Sequence, residues 1–130
     1  MGLAHATVRA TVAVADLDRA TAFYEGTLGL TPRPGGIAAV RIYPCGGGEL
    51  QVYASPGHAG ASTATVASWS LDDFDATIDA LRTAGVELLR YDGLDADERG
   101  VHAFGEHRVA WLQDPDGNVL ALDNGSTGGM

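Results

Sequence analysis

Apolar and polar residues alternate at period two through 8–14 (Val-Arg-Ala-Thr-Val-Ala-Val), which predicts a strand. The period then lengthens. Over 17–28 the apolar positions Leu17, Ala20, Phe23, Tyr24 and Leu28 recur at helical spacing, so a helix is predicted there. Asp16 stands where an N-cap side chain would take the first free N–H groups, and Gly29 stands where a helix closes. Pro32, Pro34, Gly35 and Gly36 interrupt the chain, after which 37–43 and 49–54 read as strands joined by a turn at Gly46-Gly47-Gly48. Residues 64–71 read as a strand, and 73–84 as a helix with Phe74, Thr77, Ile78 and Leu81 on one face and Gly85 at its end. A strand at about 86–91 and an acidic loop at about 92–100 follow. The last pair of strands, 107–113 and 118–123, flanks the turn Asp114-Pro115-Asp116-Gly117-Asn118. There Pro115 presets φ, Gly117 permits positive φ, and the Asp and Asn side chains can bond their own backbone.

The pattern occurs twice. Asp16 to Asp73 and Leu17 to Phe74 share an offset of 57 positions, and Gly85 falls where Leu28 stands. The expected organisation is one domain: a first module over about 5–55, a linker over about 56–62, a second module over about 63–124 and a flexible tail, 125–130. Neither half can bury its sheet alone. The fold class is therefore α+β: two βαβββ modules forming a curved mixed sheet, with a concave pocket and helices on the outer face.

Alternation along the strands assigns the two faces. Val8, Val12, Val14, Val40, Ile42, Leu50, Val52, Ala67, Trp69, Leu71, Leu120 and Leu122 are expected under the helices. Arg9, Thr11, Ala13, Arg41, Tyr43, Glu49, Gln51, Tyr53, Val66, Ser68, Ser70, Val119, Ala121 and Asp123 then look into the concavity, and His107, Val109 and Trp111 share one face. His102 and His107 stand near a loop and are expected at the surface.

Composition narrows the function classes. The chain has 130 residues, enough for one domain with a sizeable core. It holds no apolar run approaching the about 18 residues of a membrane span, and its first residues lack the pattern of a secretory signal. The single cysteine, Cys45, excludes an intrachain disulfide and a cysteine-based zinc cluster, so a cytoplasmic location is expected. The net charge of −9, with only 8 basic residues, argues against nucleic-acid binding. Serine, histidine and acidic residues occur without a nucleophile elbow, and Asp92, Asp95, Asp97 and Glu98 lack calcium-loop spacing, so they read as solvated loop charges.

Two segments carry a resemblance: Trp111-Leu-Gln-Asp-Pro-Asp-Gly-Asn-Val-Leu-Ala-Leu122, and Val14-Ala-Asp-Leu-Asp18 leading into Phe23-Tyr24 and Leu28-Gly29-Leu30. Together they resemble the vicinal oxygen chelate superfamily, which includes glyoxalases, extradiol dioxygenases, fosfomycin-resistance enzymes and bleomycin-resistance proteins. The resemblance covers nearly the whole chain. In the metal-dependent relatives four inward positions, usually His, Gln or Glu, hold the ion. Those positions correspond here to Arg9, Gln51, Val66 and Ala121, of which only Gln51 could donate to a metal. No metal and no cofactor are expected.

What remains is a pocket lined by Arg9, Arg41, Tyr43, Gln51, Tyr53, Val66, Ser68, His107, Val109, Trp111 and Ala121. Small side chains leave room for a bulky guest, and flat rings offer stacking surface. The Trp111 position also resembles one that lines the pocket of fosfomycin-resistance enzymes. The expected function is that of the bleomycin-resistance branch: binding and sequestering a hydrophobic aromatic natural product or antibiotic, without catalysis, as a homodimer. The alternative is a lyase, isomerase or cyclase of the same superfamily using Glu49, Asp123 or His107 as acid or base.

Overall fold

The structure is a computed structural model that describes residues 2–125. Beyond Gly125 the expected flexible tail lies outside the described residues. After a short 3-10 turn at Gly2–His5 the chain forms β1 (Arg9–Val14), α1 (Leu17–Thr21), β2 (Val40–Cys45), β3 (Gly48–Ala54), β4 (Thr65–Ser70), α2 (Phe74–Thr83), β5 (His102–Phe104), β6 (His107–Gln113) and β7 (Val119–Asp123). These strands make two mixed sheets, ordered β1-β3-β2 and β4-β7-β6-β5. In each, the first strand of the module runs parallel to the last, and hairpin partners run antiparallel. Strand β1 lies beside β4, which brings the sheets together.

Both helices start where the sequence places them. The Asp16 carboxylate accepts from the backbone N–H groups of Asp18 and Arg19, at 2.9 and 3.2 Å. Asp73 holds the corresponding place before α2, where its carboxylate accepts from the Thr77 hydroxyl at 3.2 Å. The helix expected over 17–28 changes pitch, however. It is α-helical only to Thr21 and continues as a π-helix over Ala22–Thr27, with the Leu28 N–H donating to the Phe23 carbonyl. The wider turn accommodates Phe23 and Tyr24 side by side against the core, their rings edge to face at 5.2 Å.

The first module has two strands after its helix, where the second has three, because the Pro- and Gly-rich stretch before β2 forms none. The strand expected at 86–91 also does not form. That stretch contributes one ladder-like bond, from the Leu89 N–H to the Trp111 carbonyl, and the third strand is β5 instead.

One buried cluster lies between the sheets and the helices. Val12, Val14, Leu50, Val52, Ala110, Leu112, Leu120 and Leu122 supply the strand side, and Ala20, Tyr24, Phe74, Ile78 and Leu81 the helix side. Four assignments of facing are corrected by the register. Tyr43 pairs with Leu50 and Arg41 with Val52, so both share the helix side, whereas Val40 and Ile42 pair with Tyr53 and Gln51 on the open side. Tyr43 is fully buried and stacks on Tyr24 at 6.3 Å. Val8, expected in the core, lies before β1 and is 78% exposed. Trp69 packs against the core but is only half-buried, at a groove of about 650 Å³ that also reaches Val8 and Leu50.

The turn that stands out in the sequence joins the two modules. The Asp114 carboxylate accepts from the Tyr24 hydroxyl at 2.8 Å and from the Asn118 side-chain amide at 2.8 Å. The same amide donates to the Ala13 carbonyl at 2.9 Å, and Asp116 accepts from Ala15 N–H and from the Arg19 guanidinium. Asn118 also accepts from the N–H of Gly60, whose φ is +61° and whose missing Cβ would collide with the Asp116 carbonyl oxygen.

Candidate functional site

The face of each sheet turned away from the helices carries the chemistry. On the first sheet it presents Arg9, Thr11 and Ala13 from β1, in register with Glu49, Gln51 and Tyr53 from β3, and then Ile42 and Val40 from β2. Arg9 is already committed: its Nε donates to Glu49 at 2.8 Å, and Arg33 Nη1 donates to the other oxygen of the same carboxylate at 2.8 Å. Two guanidinium partners thus occupy both oxygens of Glu49. Beside Gln51, a cavity of about 400 Å³ is lined by Val40, Ile42, Ile37, Arg33 and Arg41. Arg41 reaches that rim from the edge strand, bonding the carbonyls of Ala38 and Val40.

On the second sheet, Ser68 pairs with Ala121 and Ser70 with Asp123 across β4 and β7, while Trp111 pairs with Ala121 and Val109 with Asp123 across β6 and β7. Ser68, Val109, Trp111 and Ala121 are therefore neighbours on one face. Val109, Val119 and Ala121 are buried, yet they stand outside the helix-side cluster, so this face has its own apolar interior. Val66 is not part of it. The register shifts between Thr65 and Ala67, leaving Val66 as the bulged residue, and its side chain packs against the core. His107 pairs with Phe104 at the start of β6.

His102 corrects the expectation of surface placement. It pairs with Val109 in β5 and is completely buried. Its ring stands edge-on to Trp111 at 5.0 Å, and Tyr91 stands edge-on to the same indole at 5.0 Å. Neither Tyr91 nor His102 is part of the pocket the sequence indicates. The one trace of them in the sequence is aromatic content near an acidic loop. That loop is built rather than merely solvated: Asp97 accepts from the N–H groups of Arg99, Gly100 and Val101, and Arg90 caps the carbonyls of Asp97 and Glu98. Partial desolvation opposes ionisation of Asp97, but these N–H donors and the Arg99 guanidinium outweigh it and hold the carboxyl below its ordinary range.

The two core tyrosines titrate far from their usual range. Burial, and then the hydrogen bond to Glu25 at 3.0 Å, push the Tyr43 phenol up to about 12. Burial and the Asp114 carboxylate push Tyr24 higher still. A folded phenol that keeps its proton past the unfolded value of about 10 stabilises the fold below that pH, and the stabilisation is lost as pH climbs toward the folded value. The denaturation midpoint is thus expected to fall between about pH 10 and 12. Urea titrations across this window should show a shallower fall for Tyr43→Phe, and an unchanged slope would refute the assignment.

A metal of the kind held by some vicinal oxygen chelate enzymes does not fit these residues. Of the four corresponding positions, Arg9 is a cation paired with Glu49, Val66 faces the core, and Ala121 has no donor atom. Among the described residues no three His, Cys, Asp or Glu side chains converge as a metal site.

Residues 2–122 match the family model of the Glyoxalase/Bleomycin resistance protein/Dioxygenase superfamily, and the chain belongs to that superfamily. A bleomycin resistance determinant encoded on transposon Tn5 is 25% identical, with a TM-score of 0.65 over 91% of this chain and 96% of that one. A glyoxalase/bleomycin resistance protein from Catenulispora acidiphila is 23% identical, with a TM-score of 0.66 over 90% and 96% of the two chains. A lactoylglutathione lyase from Agrobacterium tumefaciens is 17% identical, with a TM-score of 0.68 over 96% and 97%. No curated protein matches the sequence. No helix among the described residues is long and apolar enough to cross a membrane.

Proposed function

We propose that this chain is a metal-free binding protein that sequesters a hydrophobic aromatic natural product or antibiotic. The observation that carries the reading is the half-buried indole of Trp111 beside the small Ala121 and Ser68, on a face with its own apolar interior. Such a platform stacks a flat guest. The likeness to the Tn5 bleomycin resistance determinant supports the direction of this reading. So does the pairing of both Glu49 oxygens with arginines, which weakens the acid–base alternative. Arg9, Gln51 and Tyr53 supply the polar and aromatic groups on the neighbouring sheet. The test is a panel of flat aromatic antibiotics screened by quenching of tryptophan emission. Quenching that survives removal of Trp111, or no quenching by any member, would count against the reading.

The working unit is expected to be a homodimer. Ile37 at 68% exposure and Phe104 at 46% stand on the surface at the outer strands and the loops beside them, and a second copy would cover such side chains. Light scattering at tens of micromolar is expected to give twice the 13.4 kDa of the chain, and a monomeric mass would contradict the expectation.

A further inference from the structure

His102 is the anomaly of this site. Its side chain is fully buried, and neither imidazole nitrogen has a hydrogen-bond partner among the described residues. A buried imidazole left this way costs the fold free energy, and a core of this kind would be better served by an apolar ring. The neighbouring rings are Trp111 at 5.0 Å and Tyr91 at 6.1 Å. Tyr91 differs from the other two. It is 37% exposed, lies on a stretch with no helix or strand, and its hydroxyl makes no hydrogen bond among the described residues. It is the member of the cluster that can move away at least cost.

We propose that His102 is the polar recognition residue of the Trp111 site, meeting a hydrogen-bonding group at the rim of a flat aromatic guest that displaces Tyr91. This rests on the binding function proposed above and adds the class of guest: a planar ring bearing a hydroxyl, carbonyl or amide. The indole supplies the stacking edge and the imidazole supplies one donor and one acceptor, so a guest with a polar rim satisfies both contacts at once. A purely apolar ring would leave the nitrogens as they are. The discrimination comes from the buried polar group, which makes the analogue lacking its partner the poorer ligand.

The matched probes are 2-naphthol and naphthalene, measured by calorimetry. The wild-type protein is expected to bind 2-naphthol at least about tenfold more tightly, the scale of one buried hydrogen bond. In His102→Phe the preference falls below about threefold while the melting midpoint rises by about 3–6 °C, because an unpaired polar group has been removed. His102→Gln, which retains a donor and an acceptor, restores the preference. Equal affinities in the wild type, or a preference that persists in His102→Phe, overturn the inference and leave the binding function standing. So does a His102→Phe protein that melts lower, if His102→Gln does not restore the preference. Failure of both probes to bind the wild type overturns the binding function as well.

Discussion

Asp114→Ala is expected to cost about 3–4 kcal/mol of folding free energy, a large share of the 5–15 kcal/mol typical of a domain. The carboxylate is nearly inaccessible and accepts four hydrogen bonds: from the Tyr24 hydroxyl, the Asn118 amide, and the backbone N–H groups of Asp116 and Asn118. Alanine leaves the Tyr24 hydroxyl and the Asn118 amide buried with a lost partner, and stranding buried donors costs more than the net worth of the bonds themselves. Asp116→Ala makes the control. It removes the pair with the half-exposed Arg19 and one longer bond from the Ala15 N–H, so its cost is expected to be smaller, about 1–2 kcal/mol. Urea denaturation followed by circular dichroism measures both. Equal and small losses would mean that the turn does not join the modules energetically.

Trp111→Ala is expected to weaken an aromatic ligand by about 1–3 kcal/mol, or roughly 5- to 150-fold, the scale of an aromatic anchor in a buried contact. The indole is half-buried on the open face, with Tyr91 and His102 edge-on to it, so truncation removes the surface a guest would stack against. Trp69→Ala separates binding from folding. Trp69 packs on the helix-side core in register with Leu122, and its loss should lower stability while leaving affinity unchanged. Ligand titrations monitored by calorimetry, with melting curves for both variants, make the comparison. Equal loss of affinity in the two variants would place the guest elsewhere.

Alternation assigns the faces of β1, β3 and β7 correctly and fails in β2, at the bulge of β4 and in β5. In β7, Leu120 and Leu122 are in the core as expected, and Ala110 and Leu112 of β6 join them there, on the side away from Val109 and Trp111. In β2 the run Val40-Arg41-Ile42-Tyr43 is ambiguous, because both parities offer apolar side chains. What decides it is tertiary: Tyr43 finds Tyr24 to stack on and Glu25 to bond, neither of which alternation can see. Alternation puts Val66 on the wrong face for a related reason, since a bulge moves one residue out of step and leaves no mark in the pattern. Strand β5 is three residues long, too short for periodicity to register, and His102 was lost with it. Residues 86–91 have strand-like composition but meet Trp111 through a single backbone bond.

The turn at Asp114–Asn118 also dictates the order in which this protein can be made. Its bonds to Tyr24 and Ala13 join positions 90 and 105 residues apart. A nascent chain emerging from the ribosome can pair β1, β2 and β3, yet the buried hydroxyl of Tyr24 has no Asp114 acceptor until 90 further residues have been made. Loop closure over such a span is slow, and the half-made chain exposes its sheet edge throughout. The first module is thus a waiting partner during translation, and the final turn is the latch whose arrival completes folding.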